Sequence, residues 1–179
     1  MVGAYQTILT RELDPNDRAV ITVGHITAGT TNNIIPPSAF LEGTIRTFDE
    51  DVRSTIHNGI TRVSESIAAT HRCSCTANII PGYPPTLNHD SEAERAESVT
   101  QQLMGMEAFQ WMENPIFGAE DFSYVLQQVP GAMVMLGTCP DGETPFEAEP
   151  NHSNLVKFNE SAFYRGVGLY AAMAMDNDT

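Results

Sequence analysis

The segment from Ala19 to Phe48 constrains this chain more than any other. Ala19–Thr27 alternates apolar and polar residues and is rich in β-branched side chains, so it reads as a strand. Residues 28–37 carry Gly29, Asn32, Asn33, Pro36 and Pro37 and read as a turn. Ser38–Phe48 reads as a second strand with two distinct faces: Leu41, Gly43 and Ile45 on one, Glu42, Thr44 and Arg46 on the other. A period of two, broken once by turn residues and then resumed, leaves little choice but a β-hairpin.

The flanks supply what such a hairpin needs to bury one face. Val2, Tyr5, Ile8 and Leu9 recur at helical spacing, and Asp14-Pro15-Asn16-Asp17 ends that helix. No capping residue precedes it, which leads us to expect a chain cut from something longer. Asp49 is placed to cap a second helix, in which Val52, Ile56, Ile60, Val63 and Ile67 form an apolar stripe. Cys73–Ile80 reads as a third strand, closed by Pro81-Gly82 and Pro84-Pro85. The order helix, strand, strand, helix, strand is that of a split βαβ, ferredoxin-like unit without its first strand.

Beyond the prolines the pattern changes. Ser91 and Glu94 have capping-box spacing, and Ala96, Val99 and Leu103 carry a helix to Gly105, placed as its C-terminal glycine. Phe109 and Trp111 suggest a short strand, Glu120–Gln128 a helix, and Ala132–Leu136 a buried strand of a parallel sheet. Asn159 caps a last helix with Phe163, Val167, Tyr170 and Met173 facing inward. The expected architecture is therefore α+β followed by α/β, with domains at 1–82 and 83–179.

Acidic residues outnumber basic ones 23 to 9 in 179 residues, a formal charge of −14. This argues against nucleic acid and against an anionic membrane surface, since both need clustered Lys and Arg. Cys73, Cys75 and Cys139 make a poor disulfide framework, and no signal peptide or apolar span is evident, so a cytoplasmic setting is expected. Cys73 and Cys75 share a strand face and read as core. His25, on the face of Ile21 and Val23, reads as a half-buried sheet histidine.

Three residues stand out as candidates for chemistry. Arg46 offers a planar fork of donors suited to a carboxylate, although pairing with Glu42 or a neighbouring acid would satisfy it equally well. Asn33 lies in the turn that leads into the same strand and could add a donor or simply support the turn. His152, in a loop before the last helix, has the chemistry of a metal ligand, although exposed loop histidines are common.

The runs Asn33-Ile34-Ile35-Pro36 and Gly43-Thr44-Ile45-Arg46, with Gly118-Ala119-Glu120-Asp121-Phe122-Ser123 and Asn151-His152-Ser153-Asn154, resemble the C-terminal part of M20-type metal-dependent aminoacylases and carboxypeptidases. The Gly-Ala-Glu-Asp-Phe run is nearest the hippurate-hydrolase and auxin-conjugate-hydrolase branch. The resemblance implies a partial lid (dimerisation) domain followed by the end of an α/β metal-hydrolase domain. It implies that Asn33 and Arg46 hold the substrate carboxylate, often in the partner subunit's site, and that His152 is one metal ligand. The implied reaction is hydrolysis of the amide of an N-acyl amino acid or short peptide by metal-activated water, in a homodimer using a divalent metal, zinc first, with manganese or nickel as alternatives. The family's His-x-Asp or Cys-x-His segment and tandem Glu-Glu are missing here, so the chain alone is expected to be inactive. Two other readings stay open: a non-catalytic dimerisation or binding module, and one subunit of a split hydrolase.

Overall fold

The computed structural model describes residues 1–176. It is a mixed α/β structure with a small two-stranded antiparallel sheet, and the chain divides into two compact units: residues 1–86 with 116–123, and residues 87–115 with 124–179.

The first unit is built on α1 (Val2–Arg11), β1 (Ala19–Ala28), β2 (Ala39–Thr47) and α2 (Glu50–Thr70). Its core is Tyr5, Ile8, Ile21, Val52, Ile56 and Val63, with Ile45, Ile60 and Ile67 packed against it. The apolar stripe of α2 therefore does what its spacing implies. Asp49 caps α2, its side chain accepting from the Asp51 and Val52 amides. Within the core the Tyr5 hydroxyl and Ser64 Oγ are hydrogen-bonded at 2.8 Å, so the phenol loses no partner on burial. Helix α2 ends in a Schellman motif: the Cys73 amide donates to the Ala68 carbonyl and the Arg72 amide to the Ala69 carbonyl. The position that favours glycine is held by Arg72, at φ 58°.

The hairpin carries one irregularity that the alternation did not reveal. Val23 pairs with Gly43, but His25 pairs with Glu42, so Gly24 is an extra residue on β1 and forms a β-bulge. An extra residue flips every later side chain of that strand to the opposite face. His25 consequently does not share a face with Ile21 and Val23. It lies exposed beside Glu42, its Nδ1 3.5 Å from a carboxylate oxygen and its Nε2 2.9 Å from Thr27 Oγ1. Gly43 is what lets the strands pass here: a Cβ at this position would stand 2.1 Å from the Thr22 carbonyl oxygen.

Three expected strands are not formed among the described residues. Cys73–Ile80, Phe109–Trp111 and Ala132–Leu136 are extended or irregular, and the sheet contains β1 and β2 only. A strand exists only where its backbone groups meet a neighbour, and no described segment lies beside these three in a ladder. Cys73 is accordingly exposed and Cys75 half-buried, neither part of the core.

The second unit packs α3 (Asp90–Met104) against α5 (Phe163–Met175); the short α4 (Phe122–Leu126) crosses the division between the units and ends on the buried Leu126. The buried face of α3 is Ala93, Ala96, Val99 and Thr100. His89, not Ser91, stands at its N-terminus, with no side-chain cap, so the expected capping box is not made; the His89 imidazole instead meets the Gly131 backbone at 3.2 Å. Gly105 ends the helix at φ 96°. Arg95 ties α3 to the end of α5 through Asp176 Oδ2 at 3.0 Å and the Met173 carbonyl at 2.8 Å. The inward face expected for α5 is not seen: Val167 is 68% and Tyr170 83% exposed. Instead Gly166 and Gly168 meet Leu136 and Leu103, because a surface without a Cβ admits those leucines most closely. Among the described residues no helix is long and apolar enough to cross a membrane.

Candidate functional site

Arg46 lies near the end of β2, opposite Val20 of β1 and on the hairpin face away from the core. Its position follows from alternation: Ile45 turns inward against the α1/α2 core, so Arg46 turns outward. Glu42, the acid two pairs along the same face, is engaged by His25. Arg46 forms no ion pair among the described residues, and its guanidinium donates from Nη1 to the Phe117 carbonyl at 2.7 Å. Phe117 begins the Phe117–Ser123 run, so the structure joins the Gly-Thr-Ile-Arg strand end to the Gly-Ala-Glu-Asp-Phe segment within one unit. The Phe48 and Phe117 rings lie beside this bond with centroids 4.5 Å apart. Ser123, fully buried, donates its hydroxyl to the Glu120 carbonyl at 2.5 Å and closes the segment into a turn.

Asn33 is exposed in the loop between the strands, its amide oxygen accepting from Thr31 Oγ1 at 3.0 Å. Gly29, at φ 65°, packs on Pro36 at the base of that loop. The loop thus stays at the Ala28/Ala39 end of the ladder, while Arg46 is at the other. The strand from Ala39 to Arg46 alone is roughly 23 Å long. One chain therefore does not bring Asn33 and Arg46 together.

His152 belongs to the second unit, exposed in a turn where the Ser153 amide donates to the Pro150 carbonyl and the Leu155 amide to Ser153 Oγ. Among the described residues no group of three or more His, Cys, Asp or Glu side chains is placed to hold a metal ion. In the first unit burial holds the His57 imidazole below its ordinary pKa, Arg53 adds to the effect, and Glu50 partly opposes it.

The structure thus sets a guanidinium, engaged by one carbonyl and by no carboxylate among the described residues, on the outer face of a hairpin seated on two helices. The sequence profile of Peptidase family M20/M25/M40 matches residues 8–176, and the chain belongs to that family. It is 34% identical to the IAA-amino acid hydrolase ILR1-like 2 of Arabidopsis thaliana over 98% of this chain and 39% of that protein. With thermostable carboxypeptidase 1 of Saccharolobus solfataricus the identity is 31%, over 98% and 43%. The crystal structure of the Bacillus subtilis YXEP protein, a dinuclear metal binding peptidase from the M20 family, superimposes with a TM-score of 0.75 at 25% identity, covering 99% of this chain and 46% of that one. The chain thus spans about two fifths of the length of the curated relatives it matches.

Proposed function

We propose that this chain supplies the substrate-carboxylate grip of a metal-dependent amidohydrolase that cleaves N-acyl amino acids or short peptides. The carrying observation is Arg46: exposed, free of any carboxylate among the described residues, and oriented by a neutral carbonyl that leaves its positive charge unspent. A guanidinium in that condition binds a carboxylate in two parallel hydrogen bonds. The family membership and the names of the relatives support an amide substrate with an amino-acid part.

In this reading residues 1–82 form the lid and dimerisation domain, which holds the helix, strand, strand, helix part of a ferredoxin-like order without its last strand, and residues 83–179 the end of the catalytic domain. Because the length of the hairpin separates Asn33 from Arg46, the two grip one substrate only across a homodimer, Asn33 of one copy reaching a site served by Arg46 of another. The dinuclear relative supports a divalent metal. His152 is the residue assigned to it, and the other ligands lie outside the described residues. The chain alone therefore binds the acyl-amino acid without hydrolysing it.

The test is titration of the 179-residue chain with N-benzoylglycine and with its methyl ester. The acid should bind more tightly, and Arg46→Ala should weaken it about 10- to 100-fold while leaving the ester unchanged. Equal affinity for acid and ester in the wild-type chain would overturn the proposal.

A further inference from the structure

We infer that Phe48 and Phe117 are positioning residues for Arg46, a ring pair that holds the guanidinium in a carboxylate-ready orientation before any ligand arrives. The inference rests on the reading of Arg46 given above and adds two residues that no motif singled out.

The geometry is local and consistent. Phe48 follows Arg46 by two residues, immediately past the end of β2. Phe117 comes 71 residues after Arg46 and places its carbonyl 2.7 Å from Arg46 Nη1. The two rings, with centroids 4.5 Å apart and planes inclined by 38°, fasten the carbonyl-bearing segment to the strand that bears the arginine. Such an offset contact between aromatic rings is attractive beyond the area it buries. Nε and Nη2 have no hydrogen-bond partner among the described residues, so one edge of the fork is engaged and the other is open.

Two physical consequences follow. A free arginine side chain samples many rotamers, and a ligand must overcome that entropy; a side chain already held loses less on binding. The holder is also a backbone carbonyl. It accepts a hydrogen bond but carries no net charge, so it orients the guanidinium without neutralising it. A carboxylate in the same place would leave nothing for the ligand. The pair therefore serves specificity for an anionic ligand and should matter little to a neutral one.

The experiment is a double-mutant cycle on the intact 179-residue chain, with N-benzoylglycine and its methyl ester as probes. Phe48→Ala and Phe117→Ala should each weaken the acid about 3- to 10-fold and leave the ester unchanged. The double variant should lose no more than the worse single one, because either removal frees the same carbonyl. Phe48→Tyr, which keeps the ring, should behave as wild type. Phe48→Leu and Phe117→Leu keep apolar bulk without the ring and serve if the alanine variants do not fold; the same selective loss is expected. Equal weakening of acid and ester would overturn the inference, since a merely structural defect acts on both. Unchanged acid binding in the Phe variants, with Arg46→Ala still destroying discrimination, would overturn the ring pair alone. Unchanged discrimination in Arg46→Ala would remove the reading beneath it as well.

Discussion

Gly43→Ala is the sharpest test of the hairpin register, because its cost can be worked from one distance. The added methyl carbon would lie 2.1 Å from the Thr22 carbonyl oxygen, 3.1 Å from the Thr22 carbonyl carbon and 3.2 Å from Val23 Cα. Carbon and oxygen in ordinary contact stay more than 3 Å apart, and every atom in the way is backbone, so no side chain can swing aside. The strands must separate by about 1 Å at the bulge. Overpacking of this kind costs about 1–3 kcal/mol, and losing one ladder hydrogen bond adds about 1 kcal/mol. We expect Gly43→Ala to lower stability by about 2–4 kcal/mol, which for a chain of this size lowers the melting temperature by roughly 5–15 °C. Gly24→Ala, one position from the opposite strand's pairing partner, is the control. Nothing lies within 4 Å of a Cβ there, so it should change stability by less than about 1 kcal/mol. Urea unfolding followed by circular dichroism gives both numbers, and amide exchange across β1 and β2 shows whether the loss is local to the ladder. If Gly43→Ala proves as mild as Gly24→Ala, or Gly24→Ala the more damaging, the bulge is misplaced and the outward face of Arg46 is no longer secured.

Arg72→Gly should stabilise the chain by up to about 1 kcal/mol, read as a higher urea midpoint, because it relieves a left-handed φ of 58° in the motif that ends α2. His57 makes stability depend on pH. Its folded pKa lies below the ordinary 6.5, through burial first and Arg53 second, so the unfolded chain takes up protons before the folded one does. Stability is therefore full above about pH 6.5 and falls as the pH drops from there toward the lowered folded value. His57→Gln should flatten that part of the curve in melts between pH 8 and 5; an unchanged slope would show that other groups set it.

Much of the first unit was legible because its elements bury a face. The α2 stripe from Val52 to Ile67, the Asp49 cap and the inward Ile45 all follow from periodicity, and the structure places them so, whereas Leu41 and Gly43, expected on the same face, lie outside the core cluster. The bulge at Gly24 was not legible, since one inserted residue leaves the composition of the strand untouched and appears only as a pairing register. Alternation alone therefore puts His25 on the face of Ile21 and Val23, and the bulge turns it to the other. Cys73–Ile80 and Ala132–Leu136 show the converse limit: β propensity describes a residue's fitness for a ladder, not the presence of a partner to build one. On α5 the aromatic and branched residues suggested an inward face, yet Gly166 and Gly168 make the close contacts, a preference for small surfaces that a hydrophobic stripe conceals. For the site, Arg46 was found by residue type and strand position. Its tie to Phe117, 71 residues away, had no signature in the spacing.

The account depends on the Arg46 guanidinium being the group that meets a carboxylate, and its own NMR signal reports that directly. In the 15N-labelled 179-residue chain, with the resonance assigned by its loss in Arg46→Lys, the Arg46 Nε–H signal should move progressively as N-benzoylglycine is added and stay still with the methyl ester. A signal that does not move with the acid, while the acid demonstrably binds, would place the carboxylate elsewhere and contradict the account.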